Sequence, residues 1–481
     1  MPRDFRVFIS RIVKSVAIYV VAAVLLGACA ISPRAAEAPQ PAPAPGAAPQ
    51  PAPMAVVGTV EAKHLEQTLL GFGAAIAYYQ NWSTKNPYHK EIYQTLFKGL
   101  NLSILRLRNT YSDPTNNLAD VAQDALVAKE GSEALGRPLQ IMLCSWSPPV
   151  ALKSNHATNN GGTLIKVNGA YAYDQFAQYW ADSLAAYAKD GVKPTYVTIQ
   201  NEPDFKATWD SCLLTPNEGD IRNDTVCAGY SQALDAVFHK FQSMPDPPKL
   251  IGPETIGIGY GDPENYIPPT NQAVLSELWG LSHHLYHGGS ESNPDSFNSR
   301  FNALRSEYGD KPRLMTEFDR GDMFETAWLI NNCMTEENAS AYVYWSAIWP
   351  GGQAFIYIED PDRQANWKNP HGWRLGDHYW AMKHFSYFTG PGYHRVDTST
   401  SNPAVKMSAY LSPNGKRLCV VILNTSDTQA ASFTLALNGY SSRKSAVYRT
   451  AGTERFQDLG ALPKTRQIDL PPHSIVTVSL G

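Results

Sequence analysis

The feature that most constrains this chain is an alternation that runs from residue 67 to about residue 385. Short runs rich in β-branched and aromatic residues recur there, with longer amphipathic stretches between most of them. The short runs fall at 68–75, 102–108, 139–146, 195–200, 249–254, 281–286, 313–317 and 341–345. Residues 173–189 place apolar side chains at i, i+3, i+4 and i+7, the stripe of a helix with one buried face. Residues 230–241 and 272–279 behave similarly. Repeated strand–helix units of this length predict an α/β fold, a (β/α)8 TIM barrel whose strands are parallel and whose helices form the outer ring.

The texture changes near residue 391. Alternating runs at 405–411, 417–423, 431–436, 445–449 and 474–480 are separated by turn signals such as Pro413-Asn-Gly415 and Asn438-Gly439. They predict an appended antiparallel β-sandwich. Residues 56–62 alternate in the same way ahead of the barrel, so they are expected to complete the sandwich and bring both ends of the folded part together. The expected boundaries are 55–66 for that strand, 67–388 for the barrel and 389–481 for the sandwich, which is expected to buttress the barrel.

The N-terminus reads as a targeting segment, residues 1–38. Arg3, Arg6, Arg11 and Lys14 precede an apolar stretch, 16–26, that is too short to span a membrane comfortably. Leu26-Gly-Ala-Cys29 resembles a bacterial lipobox, in which Cys29 would be lipidated and become the mature N-terminus. Cleavage of an ordinary signal peptide after Ala36-Glu37-Ala38 is the alternative. Both predict an exported protein: a cell-envelope lipoprotein held only by its lipid in the first case, a secreted or periplasmic protein in the second. Residues 39–54, rich in Pro and Ala, read as an extended tether.

Composition narrows the function classes. A net charge of −4 with no basic stripe argues against nucleic acid. With 11 Trp and 25 Tyr the chain has aromatic faces to spare for stacking on the C–H faces of sugars. The cysteines match no zinc spacing. Cys212 and Cys227 flank a polar loop and could pair in an oxidising compartment; Cys144, Cys333 and Cys419 lie in apolar runs and read as core. His283, His284 and His287 lack an acidic partner at zincin spacing, so no metal is expected.

Two glutamates carry the chemistry. Glu202 follows the apolar run Thr195-Tyr-Val-Thr-Ile-Gln200, and Glu317 ends Arg313-Leu-Met-Thr316. On the strand count they stand at the ends of strands four and seven, where a barrel keeps its active site. A general acid needs a raised pKa, which a cleft of aromatics would give Glu202. A nucleophile must stay ionised, which needs donors or positive charge, and Arg106 and Tyr286 are the candidates to supply Glu317. Asn201 could bond a sugar hydroxyl. Trp146 and Trp345, at the ends of strands three and eight, could floor a sugar subsite.

Gly71-Phe72-Gly73, Ser103-Ile-Leu-Arg-Leu-Arg108, Ser145-Trp-Ser-Pro-Pro149, Ile199-Gln-Asn-Glu-Pro-Asp204, His284-Leu-Tyr286 and Met315-Thr-Glu317 together resemble glycoside hydrolase family 30, nearest its bacterial xylanase and glucuronoxylanase branch. The resemblance runs over roughly residues 56–481. It implies a monomeric, endo-acting, retaining enzyme on a polysaccharide such as xylan, with no cofactor. Glu202 would be the acid/base and Glu317 the nucleophile. One departure matters. The glucuronoxylanase branch carries a Tyr-Ile-Arg-Arg-like run after strand eight whose arginine grips glucuronate. Here Tyr344-Trp-Ser-Ala-Ile-Trp-Pro-Gly-Gly352 stands instead, with no arginine before Arg363, itself surrounded by Glu359, Asp360 and Asp362. Strict dependence on glucuronate is therefore not expected. The alternatives are another activity of the same family, such as β-1,6-glucanase or glucosylceramidase-like, and a non-catalytic carbohydrate-binding protein.

Overall fold

The computed structural model describes residues 52–112 and 120–481. The targeting segment with Cys29 and nearly all of the 39–54 tether lie outside the described residues. Eight parallel strands close into a barrel in chain order: Gly71–Ile76, Ile104–Arg108, Gln140–Cys144, Tyr196–Thr198, Lys249–Thr255, Gly280–His284, Arg313–Glu317 and Ala341–Tyr344. The last pairs back onto the first, Ala341 opposite Gly71. Each expected barrel strand is present. The first begins later than expected because Thr68 belongs to the sandwich strand Met54–Thr68. The helix Tyr173–Lys189 buries Phe176, Trp180, Leu184 and Tyr187, the stripe its spacing implied. The helix expected over 272–279 stops at Glu277, because Leu278 turns extended and the Trp279 N–H bonds the Leu250 carbonyl to start the next barrel strand.

Alternation along the strands stacks the barrel interior in layers. Ile104, Met142, Tyr196, Ile251, Leu314, Ala341 and Val343 form an apolar plug. Two residues further along their strands, Arg106 and Cys144 begin a polar layer above it. The plug closes the barrel floor, so chemistry is confined to the C-terminal mouth.

Apart from four small sheets of two or three strands in the loops, the other described strands form one nine-stranded sheet. Its order is Gln457–Gly460, Ser445–Thr450, Ser474–Leu480, Leu418–Asn424, Val405–Leu411, His394–Thr400, Met54–Thr68, Ala431–Asn438 and Gln467–Leu470. Met54–Thr68 runs antiparallel to His394–Thr400 and parallel to Ala431–Asn438, so it joins the sandwich as expected. Leu418–Asn424 is buried on both faces. Leu418, Val420 and Ile422 point into the sandwich core with Val60, Phe433 and Val476. Cys419, Val421 and Leu423 point the other way, into the same core as Phe72 and Phe385 of the barrel. Buried Arg395 fastens the junction, donating to Gln67 at 2.9 Å and to Asn338 at 2.8 Å. Among the described residues no helix is long and apolar enough to cross a membrane.

The possible Cys212–Cys227 bridge is not formed: Cys144, Cys212, Cys227, Cys333 and Cys419 are all buried and free. The short parallel pair that sets Leu214 against Ala228 brings Leu213, not Cys212, opposite Cys227. Neighbouring residues of a strand face opposite ways, and the Cys227 thiol instead bonds the Thr225 carbonyl at 3.2 Å.

Candidate active site

Two departures from regular strand pairing aim the acids at the barrel axis. In strand seven, His283 pairs with Met315 but His284 pairs with Glu317, so Thr316 is bulged out of the ladder. In strand five, Pro253 pairs with Ser282 and Thr255 with His283, which bulges Glu254. Strict alternation from Leu314 and Ile251 in the plug would turn Glu317 and Glu254 away from the interior. An extra residue in each strand reverses that, the re-aiming for which bulges are used beside active sites. Glu202 and Glu254 also hold positive φ, +43° and +63°, a conformation costing about 1–3 kcal/mol in a non-glycine residue. The Glu202 N–H donates to the Glu254 carbonyl at 3.0 Å, locking the two strand ends together.

Four of the expected residues meet at one point. Arg106 Nη1 donates to Glu317 Oε2 at 2.5 Å, and its Nη2 donates to Asn201 Oδ1 at 2.7 Å and to Glu254 Oε2 at 2.8 Å. The Tyr286 hydroxyl donates to Glu317 Oε1 at 3.2 Å. Both expected donors thus reach Glu317. With its oxygen engaged by Arg106, Asn201 keeps its NH2 as the end available to a sugar hydroxyl.

His284 links the acids. Its Nδ1 lies 3.0 Å from Glu202 Oε1 and its Nε2 3.3 Å from Glu254 Oε2. Burial alone would lower its pKa, but Glu317, Glu202 and Glu254 together raise it to about 10. Burial pushes Glu202 up to about 7 even though His284 pulls it down. Glu254 is held well below the usual carboxylate range by Arg106 and His284 in spite of its burial. The charges balance on one condition. Arg106 and His284 are positive, Glu254 and Glu317 negative, so the buried cluster is neutral when Glu202 keeps its proton. Donor oxygens and a nitrogen of Glu202, His284 and Glu317 approach within 4.8 Å of one another. Two fixed cations already occupy this cluster, which works against a further metal ion.

The aromatics form a wall. Trp146, Trp345, Trp349 and Tyr78 pack together, with Trp146 and Trp345 centroids 5.8 Å apart. Arg106 lies 4.6 Å over the Trp146 ring. Trp146 is 3% exposed, so it backs the cleft more than it floors it, while Trp345 keeps part of its surface open.

Residues 392–478 match the glycosyl hydrolase family 30 beta sandwich domain. The likeness extends through the barrel. Lysosomal acid glucosylceramidase of Mus musculus is 25% identical over 320 residues, which cover 60% of this chain but only 58% of that protein. A glucuronoxylanase of Bacillus subtilis is 24% identical over 360 residues, covering 72% of each chain. The chain is similar to glycoside hydrolase family 30 in its sandwich and across most of its length. Its fold agrees with that of the family 30 subfamily 8 xylanase from Clostridium acetobutylicum, with a TM-score of 0.67 at 23% identity, over 88% of this chain and 99% of that one.

The structure brings together Glu202, Glu317, Arg106, Asn201 and Tyr286, which the sequence singled out, and adds Glu254 and the bridging role of His284, which it did not. The signal for Glu254 was present, a third acid ending a barrel strand, in Gly252-Pro253-Glu254. The three histidines separate. His284 faces the barrel axis; its neighbour His283 faces outward and bonds Glu337 at 2.8 Å; His287 pairs with Asp262 at the surface. No common ligand can be shared by residues on opposite faces of one strand.

Proposed function

We propose that the protein is a retaining, endo-acting β-glycoside hydrolase that cleaves the xylan backbone by double displacement, without strict dependence on glucuronate. One observation carries the reading. Carboxylate oxygens of Glu202 and Glu317 lie within 4.8 Å of each other. A retaining pair stands about 5–5.5 Å apart, whereas an inverting pair needs about 6.5–9.5 Å to admit a water. Glu317, steadied by Arg106 and Tyr286, attacks the anomeric carbon. Glu202, protonated in the neutral cluster, gives its proton to the leaving oxygen and then takes one from the incoming water. The asymmetry of environments supports this division of labour, since an acid of pKa about 7 suits proton transfer near neutrality.

The segment after strand eight supports indifference to glucuronate. It forms a small sheet, Ile348–Trp349, Ile356–Ile358 and Trp373–Leu375. The Glu359 carboxylate accepts from the Lys368 and Asn369 N–H groups and the Asp360 carboxylate accepts from Asn366 Nδ2, so acids pin the turn that carries Arg363. A glucosylceramidase-like or β-1,6-glucanase activity is the second reading, favoured by the 25% identity to the mouse glucosylceramidase. A carbohydrate-binding protein without turnover is disfavoured by the paired acids.

The test is product profiling on glucuronoxylan, arabinoxylan, undecorated xylan and β-glucans, with the anomeric configuration of the first product read by NMR. Comparable rates on the xylans with a retained anomer are expected. Total dependence on glucuronate, an inverted product, or preference for a β-glucan would sink the corresponding part. Glu202→Gln should cost about 10²–10⁴-fold on these substrates, and Glu317→Gln should abolish turnover. We further propose that the chain acts as an exported monomer tethered by lipid on Cys29. Loss of palmitate labelling in Cys29→Ser is the expected result; labelling of neither protein favours plain cleavage.

A further inference from the structure

Trp209 stands apart from the other tryptophans. It is 43% exposed and is the only exposed tryptophan among the described residues. Exposure alone assigns an isolated ring no role; what matters is where its segment is held. The segment that carries it is fixed at both ends. At its start the Phe205 N–H donates to the Glu202 carbonyl at 3.0 Å, the Asp204 carboxylate accepts from the Ile256 N–H at 3.0 Å, and the Asp204 carbonyl accepts from Arg222 at 2.6 Å. At its end Asp210 pairs with Arg108 at 2.7 Å, and Arg108 lies 4.5 Å over the Tyr78 ring of the aromatic wall. The Ser211 N–H donates to the Thr158 carbonyl at 2.9 Å, and buried Lys153 donates to the carbonyls of Gly161 and Ser211. Trp209 and Phe205 are in ring contact, 6.2 Å between centroids.

We propose that Trp209 is a stacking platform for the substrate on the leaving-group side of the cut bond, under sugars beyond the first. This rests on the reading of Glu202 as the acid. The acid delivers its proton to the leaving oxygen, so the departing chain must start beside Glu202. The segment that leaves Glu202 and ends on the aromatic wall borders that path. Phe205 lies between Glu202 and Trp209 in the segment and touches the Trp209 ring, so the subsite proposed for Trp209 lies beyond the first departing sugar. A ring carries no charge and stacks on the C–H face of a pyranose, so it suits a neutral glycan chain. A pre-ordered loop adds affinity because little freedom is lost on binding.

The experiment uses end-labelled linear oligosaccharides of the series the wild-type protein cleaves fastest, β-1,4-xylo- or β-1,6-gluco-. It compares kcat/KM for cuts that release one sugar on the leaving side with cuts that release three. Trp209→Ala should lower kcat/KM about tenfold for the long leaving group and leave the short one unchanged, with Trp209→Phe restoring most of the loss. Equal losses for both lengths would mean that the variant disturbs Glu202, and would overturn the subsite, as would no loss at either. A wild-type protein that cleaves no oligosaccharide overturns the hydrolase reading itself, an outcome distinct from an indifferent variant.

Discussion

Glu254 touches no solvent, yet it shares a partner with each of the proposed catalytic acids: Arg106 with Glu317, and His284 with Glu202. It therefore acts on both through the charge it contributes. Glu254→Gln keeps the shape and removes that charge. The cluster becomes more positive, Glu202 gives up its proton more readily, and the alkaline limb of the kcat/KM profile, expected near pH 7 in the wild type, should move to lower pH. Removing one partner of a buried ion pair also costs on the order of 3–5 kcal/mol, which chemical denaturation would register. A variant that loses stability while its pH limb stays in place would deny the coupling. Cys144, within 3.5 Å of Glu254, and Thr316 complete its surroundings, and neither supplies a compensating positive charge.

The two bulges show why a pattern read along single strands finds some acids and loses others. Period-two alternation puts Glu254 on the outer face with respect to Ile251, and only the extra residue at the register shift turns it inward. Glu317 needs the same correction, but its neighbours in sequence already marked it out. Loops between the elements are held by a different device. Lys153, fully buried, donates to two carbonyls from separate loops, and Lys153→Met would strand both. At about 1–3 kcal/mol for each stranded group, a fall in melting temperature with little change in kcat on short substrates is expected. The helix Val121–Leu135 is tied in through Asp124, whose carboxylate accepts from Tyr187 at 2.5 Å, Thr110 at 2.9 Å and Gln80 at 2.8 Å. Burial lifts its pKa from 3.8 to about 7, against the pull of those donors. The folded state thus holds this proton more tightly than the unfolded chain. Its contribution is complete below about pH 4, is shed as pH rises toward 7, and is flat above. Asp124→Asn should remove that slope from stability measured across pH 4–8; an unchanged slope would assign it to other groups.

At the scale of the molecule, the barrel was legible because each of its strands is a compact apolar run, and the sandwich was legible only in part. His394–Thr400, Gln457–Gly460 and Gln467–Leu470 went unseen because they carry few apolar residues; Gln457–Gly460 is exposed throughout. Their pairing comes from neighbours distant in sequence, not from their own pattern. Barrel and sandwich share one continuous core through Tyr410, Cys419, Val421, Leu423 and Ile475. Calorimetry of residues 52–481 should therefore give one cooperative transition, and a barrel cut at residue 388 should not fold alone. Two separated transitions would mean that the shared core does not couple them.

The strand Met54–Thr68 has a consequence for mechanics. It is clamped between ladders contributed by residues more than three hundred positions later, antiparallel on one side and parallel on the other. Tension applied along the chain from its N-terminal side loads many ladder hydrogen bonds at once, in shear, and cannot peel them one by one. It also means that this strand has to wait for most of the polypeptide before either neighbour exists. An attachment point leading into that strand would hand its load to two ladders whose partner strands come from the last fifth of the chain.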